Sequence, residues 1–228
     1  MSDKALWFLE NIDVGNIFCS SKMDSKVSNN HIKEFKKDDY IYLPDEESDK
    51  IYFVNEGRIK IGSYADNGKE ITKAILSKGE VFGELAMIGE DKRRDYAIAV
   101  EDTKLCAISA DEMKNLIKDH SSLSMFFMKM MGSKVIEMEN RLESLVFKDS
   151  RSRIVEYLVD LVEKNGQRVG YEWVVRSFIT HQEIANLTAT SRQTVTTVLN
   201  ELRTDEIITF NRKRLLVRDA DKLKAEIK

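Results

Sequence analysis

Between residues 31 and 110, hydrophobic and polar positions alternate in short runs separated by turn residues. This period of two is typical of strands, whose successive side chains point to opposite faces of a sheet. The pattern predicts strands at 32–35, 40–43, 51–54, 58–64, 70–76, 96–100 and 105–108. Gly68 is expected in the left-handed conformation of a hairpin loop at 65–68, and Pro44 ends a strand. Such spacing indicates an antiparallel sandwich or roll.

The pattern then changes to the helical spacing of three and four. A capping box formed by Ser109 and Glu112 opens a short helix to about residue 118, and a long helix follows from about 121 to 146. Its apolar positions form a stripe that we call the seam: Met128, Met131, Val135, Met138, Leu142 and Leu145. A stripe of this kind favours pairing with a second copy of the helix. The alternative is that the seam packs against the chain's own core.

The last third contains a further amphipathic helix, from 153 to about 165, a predicted strand at 169–179, and two closely spaced helices. The starts of these two helices are predicted from Thr180 with Glu183 and from Thr190 with Gln193, both in the form of a capping box. Small Ala185 allows the two helices to cross closely. Only a few residues separate them, which predicts a helix-turn-helix.

A helix-turn-helix binds DNA with the N-terminal face of its second helix in the major groove. We call the residues predicted there the reading face: Arg192, Gln193, Thr196 and Thr197. Arg192 is suited to guanine and Gln193 to adenine. Four further residues are candidates for phosphate contacts: Thr180, His181, Gln182 and Ser191. A hairpin wing at 207–217 has a basic tip of Arg212, Lys213 and Arg214, which is predicted to lie along the DNA backbone.

Composition and charge agree with this division. The 228 residues carry a net charge of −3. From Ser150 to the end there are 14 Lys and Arg against 11 Asp and Glu, whereas the preceding part has 22 against 28. The positive charge thus lies where nucleic acid is expected.

Two cysteines, Cys19 and Cys106, and three histidines are too few for a disulfide framework, and no metal cluster is evident. Cys19 is open to two interpretations, a free thiol without a chemical role or a redox sensor. No apolar run is long enough to span a bilayer, and we expect no membrane association and a cytoplasmic protein.

Two groups of residues resemble the CRP/FNR family of bacterial transcription regulators. The first is Gly83-Glu84-Leu85, and the second comprises Gln182-Glu183-Ile184-Ala185 and Ser191-Arg192-x-Thr194-Val195. The resemblance implies an α+β fold: an antiparallel β-roll of jelly-roll (double-stranded β-helix) type, a long dimerisation helix and a winged helix-turn-helix. The expected domains are 1–110, 111–147 and 148–228. The expected partners are double-stranded DNA, a second copy of the chain and RNA polymerase.

In this family the Gly-Glu-Leu turn belongs to a cyclic-nucleotide pocket. The effector-pocket candidates are therefore Gly83, Glu84 and Leu85, with Arg94 or Arg93 as the cation for a phosphate. The family's Arg-Ser/Thr-Ala pattern is not followed, because Asp95 and Tyr96 come after Arg94. Met138 and Glu139 stand where cyclic-AMP binders carry Thr and Ser. These departures disfavour a cyclic nucleotide, and no cofactor is assigned.

Three interpretations of the function follow. The first is a homodimeric regulator that reads a palindromic site, controlled either by its concentration or by an unidentified effector. The second is a ligand-binding signalling module whose output is not DNA binding; such a module would not need the pair Arg192 and Gln193. The third, an enzyme, lacks paired catalytic acids, a nucleophile with a histidine partner and a phosphate loop.

Overall fold

The computed structural model describes residues 32–227 except Asn67, Lys69, His120, Ser177 and Arg212. The predictions for residues 1–31, including Cys19, and for Arg212 therefore lie outside the described residues. What is described packs into two compact units, one that ends at Ser133 and one that begins at Lys134. None of the described helices is long and apolar enough to cross a membrane.

The first unit is built on two antiparallel four-stranded sheets. Its strands are β1 Ile32–Phe35, β2 Tyr40–Tyr42, β3 Lys50–Glu56, β4 Arg58–Tyr64, β5 Glu70–Ser77, β6 Val81–Phe82, β7 Tyr96–Ala99 and β8 Thr103–Ser109. One sheet has the order β1-β8-β3-β6 and the other the order β2-β7-β4-β5. The predicted β-roll is confirmed, and Gly68 has the expected positive φ of 77°.

Strand β3 packs into the core on both of its faces. Tyr52 and Val54 join a core cluster to which the strands of both sheets contribute, whereas Ile51 and Phe53 join a second cluster together with helices. The strand is buried on both faces, which explains why its sequence is a continuous apolar run and not a strict alternation.

Two helices pack against the second of these clusters. They are α1, Ala110–Asp119, and α2, Ser121–Phe147. Helix α2 contributes the buried residues Leu123, Phe126, Phe127 and Met130. These residues follow the helical spacing i, i+3, i+4, i+7, so they form one stripe that faces the roll. Sequence analysis missed this stripe, because it overlaps the start of the seam.

The second unit combines the rest of α2 with four helices and a small sheet. The helices are α3 Ser150–Asn165, α4 His181–Leu187, α5 Arg192–Thr204 and α6 Ala220–Ala225. The strands are β9 Gln167–Val169, β10 Glu172–Val175, β11 Ile208–Phe210 and β12 Leu215–Val217, in the order β11-β12-β10-β9. The single strand predicted at 169–179 is wrong: Gly170, with a φ of 64°, turns the chain and produces a hairpin.

Candidate nucleic-acid interface

Helices α4 and α5 form the predicted helix-turn-helix. Ile184 and Ala185 of α4 are buried, as are Val195 and Leu199 of α5. Ala185 is 1% exposed, which agrees with a close crossing of the two helices. The apolar residues of both helices are thus used for packing, and the polar residues at the N-terminus of α5 remain at the surface.

Capping interactions start both helices. The Thr180 hydroxyl accepts from the Glu183 amide at 3.2 Å, and the Glu183 carboxylate accepts from the Thr180 amide at 2.8 Å, so the first capping box is confirmed. The second was predicted one residue too early. Ser191, and not Thr190, is the N-cap of α5, and its hydroxyl accepts from the Thr194 amide at 3.0 Å.

The hydroxyls of Thr180 and Ser191, which were predicted to contact phosphates, already have hydrogen-bond partners within the protein. The Thr180 hydroxyl donates its proton to Glu183 at 2.9 Å, and the Ser191 hydroxyl lies 2.8 Å from that of Thr194. A phosphate would have to compete with these partners. Both side chains therefore have a structural role in the free protein.

We expect Thr180→Ala to lower the free energy of unfolding by about 1 kcal/mol, because one orphan amide of α4 loses its acceptor. Chemical denaturation without DNA measures this loss. Thr180→Ser should retain the stability, and Gln182→Ala, on the exposed side of the same helix, serves as the control. If Thr180→Ala were as stable as the Gln182→Ala control, the hydroxyl would not act as a cap.

Three of the four residues of the predicted reading face lie at the surface. Arg192, Gln193 and Thr197 are exposed, and their side chains form no hydrogen bond or ion pair with other described residues. Thr196 is half-buried, and its hydroxyl donates to the Arg192 carbonyl at 2.9 Å. Three of the four predicted side chains thus have free polar groups for base edges, whereas the Thr196 hydroxyl is already engaged within the protein.

His181 links the two helices. Its Nδ1 lies 2.9 Å from the Thr196 hydroxyl, which already donates to Arg192, so Nδ1 must donate to the hydroxyl oxygen. Burial, and secondarily the charge of Arg192, lower the pKa of His181 below its usual 6.5. The neutral ring therefore has an acceptor at Nε2, and a phosphate contact by this ring would require a second proton.

The predicted wing is the hairpin of β11 and β12. The side-chain oxygen of Asn211 accepts from the amides of Lys213 and Arg214 at 2.8 and 2.9 Å, which closes the turn. Lys213 and Arg214 are exposed. These hydrogen bonds to backbone amides fix the turn, and the exposed side chains of Lys213 and Arg214 are available to a polyanion.

Most of the seam on α2 is uncovered in the single chain. Met128, Val135, Met138, Leu142 and Leu145 are between 43% and 72% exposed. Met131 differs, because it is half-buried and packs against the cluster beneath α2. The described residues therefore leave five seam residues without the apolar partner that such a row requires.

The effector-pocket candidates are partly brought together in the roll. Gly83 has a φ of 76° and precedes a short 3-10 helix, Glu84–Ile88, which includes Leu85. Arg93 is 5% exposed and lies 4.4 Å from the Tyr42 ring centre; its guanidinium donates to the carbonyls of Lys50 at 2.6 Å and Gly83 at 3.3 Å. Arg94 instead pairs with Glu90 on the surface. Of the two candidate cations, only Arg93 contacts Gly83.

The same region does not form an open phosphate cradle. A Cβ on Gly83 would lie 2.9 Å from Arg93 Nη1 and 2.8 Å from the Lys50 carbonyl, so the space beside the glycine is already filled. Asp95 accepts from Tyr42 at 3.3 Å and pairs with Lys73 at 3.2 Å. Burial, and secondarily Asp95, raise the pKa of the Tyr42 hydroxyl. The arrangement does not fit the phosphate of a cyclic nucleotide.

Tyr96 fills a second part of the roll. Its hydroxyl donates to Glu70, which also pairs with Lys60 at 2.6 Å, and its ring stacks on Tyr64. A Cβ on Gly62 would lie 2.3 Å from the Tyr96 oxygen, so this glycine is required for the ring to lie across strand β4. Sequence analysis singled out Tyr96 only as a departure from the family pattern.

The fold and the site define a class of protein. An antiparallel roll precedes a long helix with an exposed apolar row, and a helix-turn-helix with a basic wing follows. This combination is that of a DNA-binding protein with a winged helix-turn-helix.

Comparisons with known proteins identify the family. The model of the cyclic nucleotide-binding domain matches residues 32–120, and that of the Crp-like helix-turn-helix domain matches residues 152–226. The cyclic AMP receptor protein of Thermus thermophilus is 30% identical over 170 residues, which cover 75% of this chain and 76% of that protein. The global nitrogen regulator of Nostoc sp. is 27% identical over 188 residues, which cover 82% and 84%.

Among solved structures, a mutant of CooA from Carboxydothermus hydrogenoformans has a TM-score of 0.79 and 26% identity, and the match covers 100% of this chain and 98% of that one. The chain belongs to the CRP/FNR family of bacterial transcription regulators. It is a transcription regulator with a helix-turn-helix DNA-binding domain.

Proposed function

We propose that this chain acts as a homodimer that reads a palindromic DNA site and does so without a cyclic nucleotide. The observation that supports this most is the exposed group Arg192, Gln193 and Thr197 at the N-terminus of α5. A recognition helix that lies in the major groove presents these positions to base edges, with Arg192 on guanine and Gln193 on adenine.

The exposed part of the seam supports the dimer. Five apolar side chains in a row with heptad spacing are covered when a second α2 lies alongside. A two-fold axis through this helix pair relates the two copies of α5, the recognition helix. These two helices then enter successive major grooves roughly 34 Å apart. The operator of a symmetric dimer is correspondingly palindromic.

The wing and the caps complete the interface in this proposal. Lys213 and Arg214, together with Arg212 between β11 and β12, neutralise phosphates beside the recognition helix and make binding dependent on salt. Those first-turn amides of α4 and α5 that the caps do not use provide further phosphate contacts in this proposal. The family's role in transcription leads us to propose RNA polymerase as a partner and the cytoplasm as the location.

The roll supports the second half of the proposal. Arg93 is occupied by two backbone carbonyls and the Tyr42 ring, and Asp95 places a carboxylate where an anionic phosphate would be repelled. The effector is therefore of another chemical class, or the amount of the protein alone sets its activity.

We expect 1 mM cyclic AMP to leave the melting temperature of the protein unchanged within about one degree. A ligand with a Kd of about 1 μM would stabilise the fold by about 4 kcal/mol at that concentration and raise the melting temperature clearly. Differential scanning calorimetry with cyclic AMP, cyclic GMP and 5′-AMP makes the comparison. A rise of several degrees with a cyclic nucleotide alone would contradict our interpretation of Arg93 and Asp95.

The proposal is tested by selecting bound duplexes from a random pool with purified protein, in parallel with and without cyclic AMP. We expect a palindromic motif in the absence of nucleotide. Enrichment only with cyclic AMP would show that the altered pocket still operates. Enrichment under neither condition would favour the signalling module without DNA output.

A further inference from the structure

The turn between α4 and α5 is held by two arginines from other helices. At its start, the Leu187 carbonyl accepts from Arg141 Nη2 at 2.8 Å. The Thr188 carbonyl accepts from Arg153 Nε at 2.9 Å, and the Ala189 carbonyl accepts from Arg153 Nη2 at 3.3 Å. Carbonyls at the C-terminus of a helix have no intrahelical donor, and a cation there is favourable to the helix dipole.

The turn needs such support because it contains a residue in an unfavourable conformation. Ala189 has a φ of 50°, in the left-handed region, where a residue with a Cβ is disfavoured relative to glycine. Two backbone bonds also shape the turn: the Thr188 amide donates to Ile184 at 2.9 Å and the Thr190 amide to Ala185 at 2.9 Å. The position of α5 relative to α4 depends on this conformation being kept.

The two arginines come from different places. Arg153 belongs to α3 and also donates to the Lys148 carbonyl at 2.8 Å. Arg141 belongs to α2, the helix that carries the seam, and lies three residues after Met138. Its guanidinium is partly buried, and this burial lowers its pKa.

The C-terminal half of α2 belongs to the same compact unit as the helix-turn-helix. Besides Arg141, the Ser144 hydroxyl donates to Glu156 of α3 at 2.7 Å, and Lys148, just beyond α2, pairs with the same carboxylate. This half of the helix is therefore attached to the DNA-binding unit at several points, and one of them is the turn itself.

We infer that Arg141 is a positioning residue for DNA recognition, which ties the seam helix to the helix-turn-helix turn through the Leu187 carbonyl. The inference rests on the proposed function as a DNA reader. Its consequence is that a shift of the C-terminal half of α2 moves the turn, and with it the N-terminus of α5 that carries Arg192 and Gln193. A movement of α2 is thus transmitted to α5 through this contact.

The test uses the full-length protein with Arg141→Met, which keeps an unbranched aliphatic stem and removes the guanidinium donors. Lys129→Met, an exposed lysine on the same helix, controls for the loss of charge. Hydrogen exchange of the segment 184–195 is measured without DNA, and affinity is measured for the selected operator and for random duplex. Sedimentation checks that both variants keep the association state of the wild type.

We expect Arg141→Met to speed exchange in the turn and to weaken operator binding about 10-fold or more, with a much smaller effect on random duplex. Arg141→Lys, which retains one donor and the charge, should restore part of both. Ala189→Gly combined with Arg141→Met should also restore part of the loss, because a glycine accepts the left-handed conformation without outside support. A residue with only a general structural role would not respond to this second change.

Turn exchange and operator affinity equal to those of Lys129→Met would overturn the inference. If Arg141→Met were too unstable to purify, Arg141→Lys with and without Ala189→Gly would decide by the same two readouts. A wild-type protein that selects no duplex would instead refute the proposed function. In that case hydrogen exchange of the turn that is the same in Arg141→Met as in the wild type would overturn the inference as well. Faster exchange in Arg141→Met would show that Arg141 stabilises the turn, but its role in DNA reading would be refuted.

Discussion

Replacing both Met138 and Leu142 by glutamate should convert the proposed dimer into monomers. Both side chains are more than 60% exposed in the single chain and lie centrally on the seam. Burying such a side chain contributes roughly 1.5–3 kcal/mol, and a two-fold axis doubles the number lost. Four like charges would also face one another across the helix pair. Sedimentation velocity over a range of concentrations should show an increase in the dimer dissociation constant of at least about 1000-fold.

A matched control is Ser133→Glu with Asn140→Glu, which adds the same charge on the side of α2 away from the seam. We expect this variant to remain dimeric. Met131 is left unchanged, because it packs against the roll and its replacement would damage the fold of the first unit. Persistent dimers in the Met138 and Leu142 variant would place the interface elsewhere.

Replacing Arg192 by alanine should weaken binding to the selected operator by about 1–3 kcal/mol per half-site and leave random duplex nearly unaffected. A bidentate contact to guanine discriminates between bases, whereas a phosphate contact does not. Two half-sites double the effect for a dimer, which corresponds to a loss of roughly 30-fold or more. Fluorescence anisotropy at fixed salt measures both affinities.

Arg218→Ala is the control, because it removes the same charge from an arginine that follows β12. It should lower both affinities slightly and by similar factors. Equal losses on operator and random duplex for Arg192→Ala would instead assign this residue to the phosphate backbone.

Local patterns explain how much of the fold was predictable. The alternation at β4 and β5, the capping boxes at Ser109 and Thr180 and the small residue Ala185 each act over a few residues, and the structure agrees with them. The second cap was misplaced by one residue, because Thr190 and Ser191 are both good caps and only the backbone geometry selects between them.

Features that depend on distant contacts were not predictable in this way. The seam and the buried stripe from Leu123 to Met130 run along one helix, and only the packing on the roll separates them. The choice between Arg93 and Arg94 depends on where the loop before β7 directs each side chain. Arg141 and Arg153 donate to backbone carbonyls of the turn that lie 35 or more residues away in the sequence. Every residue has a backbone carbonyl, so the sequence does not indicate which carbonyl a distant arginine contacts.

Guanine methylation interference on the selected operator tests the central claim most directly. A dimer with two α5 helices in the major groove predicts two interfering guanine positions, related by a two-fold axis and one helical turn of about 10 base pairs apart. Arg192→Ala should abolish both signals while the monomeric seam variant loses the operator altogether. Interference confined to a single site, or an unchanged pattern with Arg192→Ala, would contradict the account.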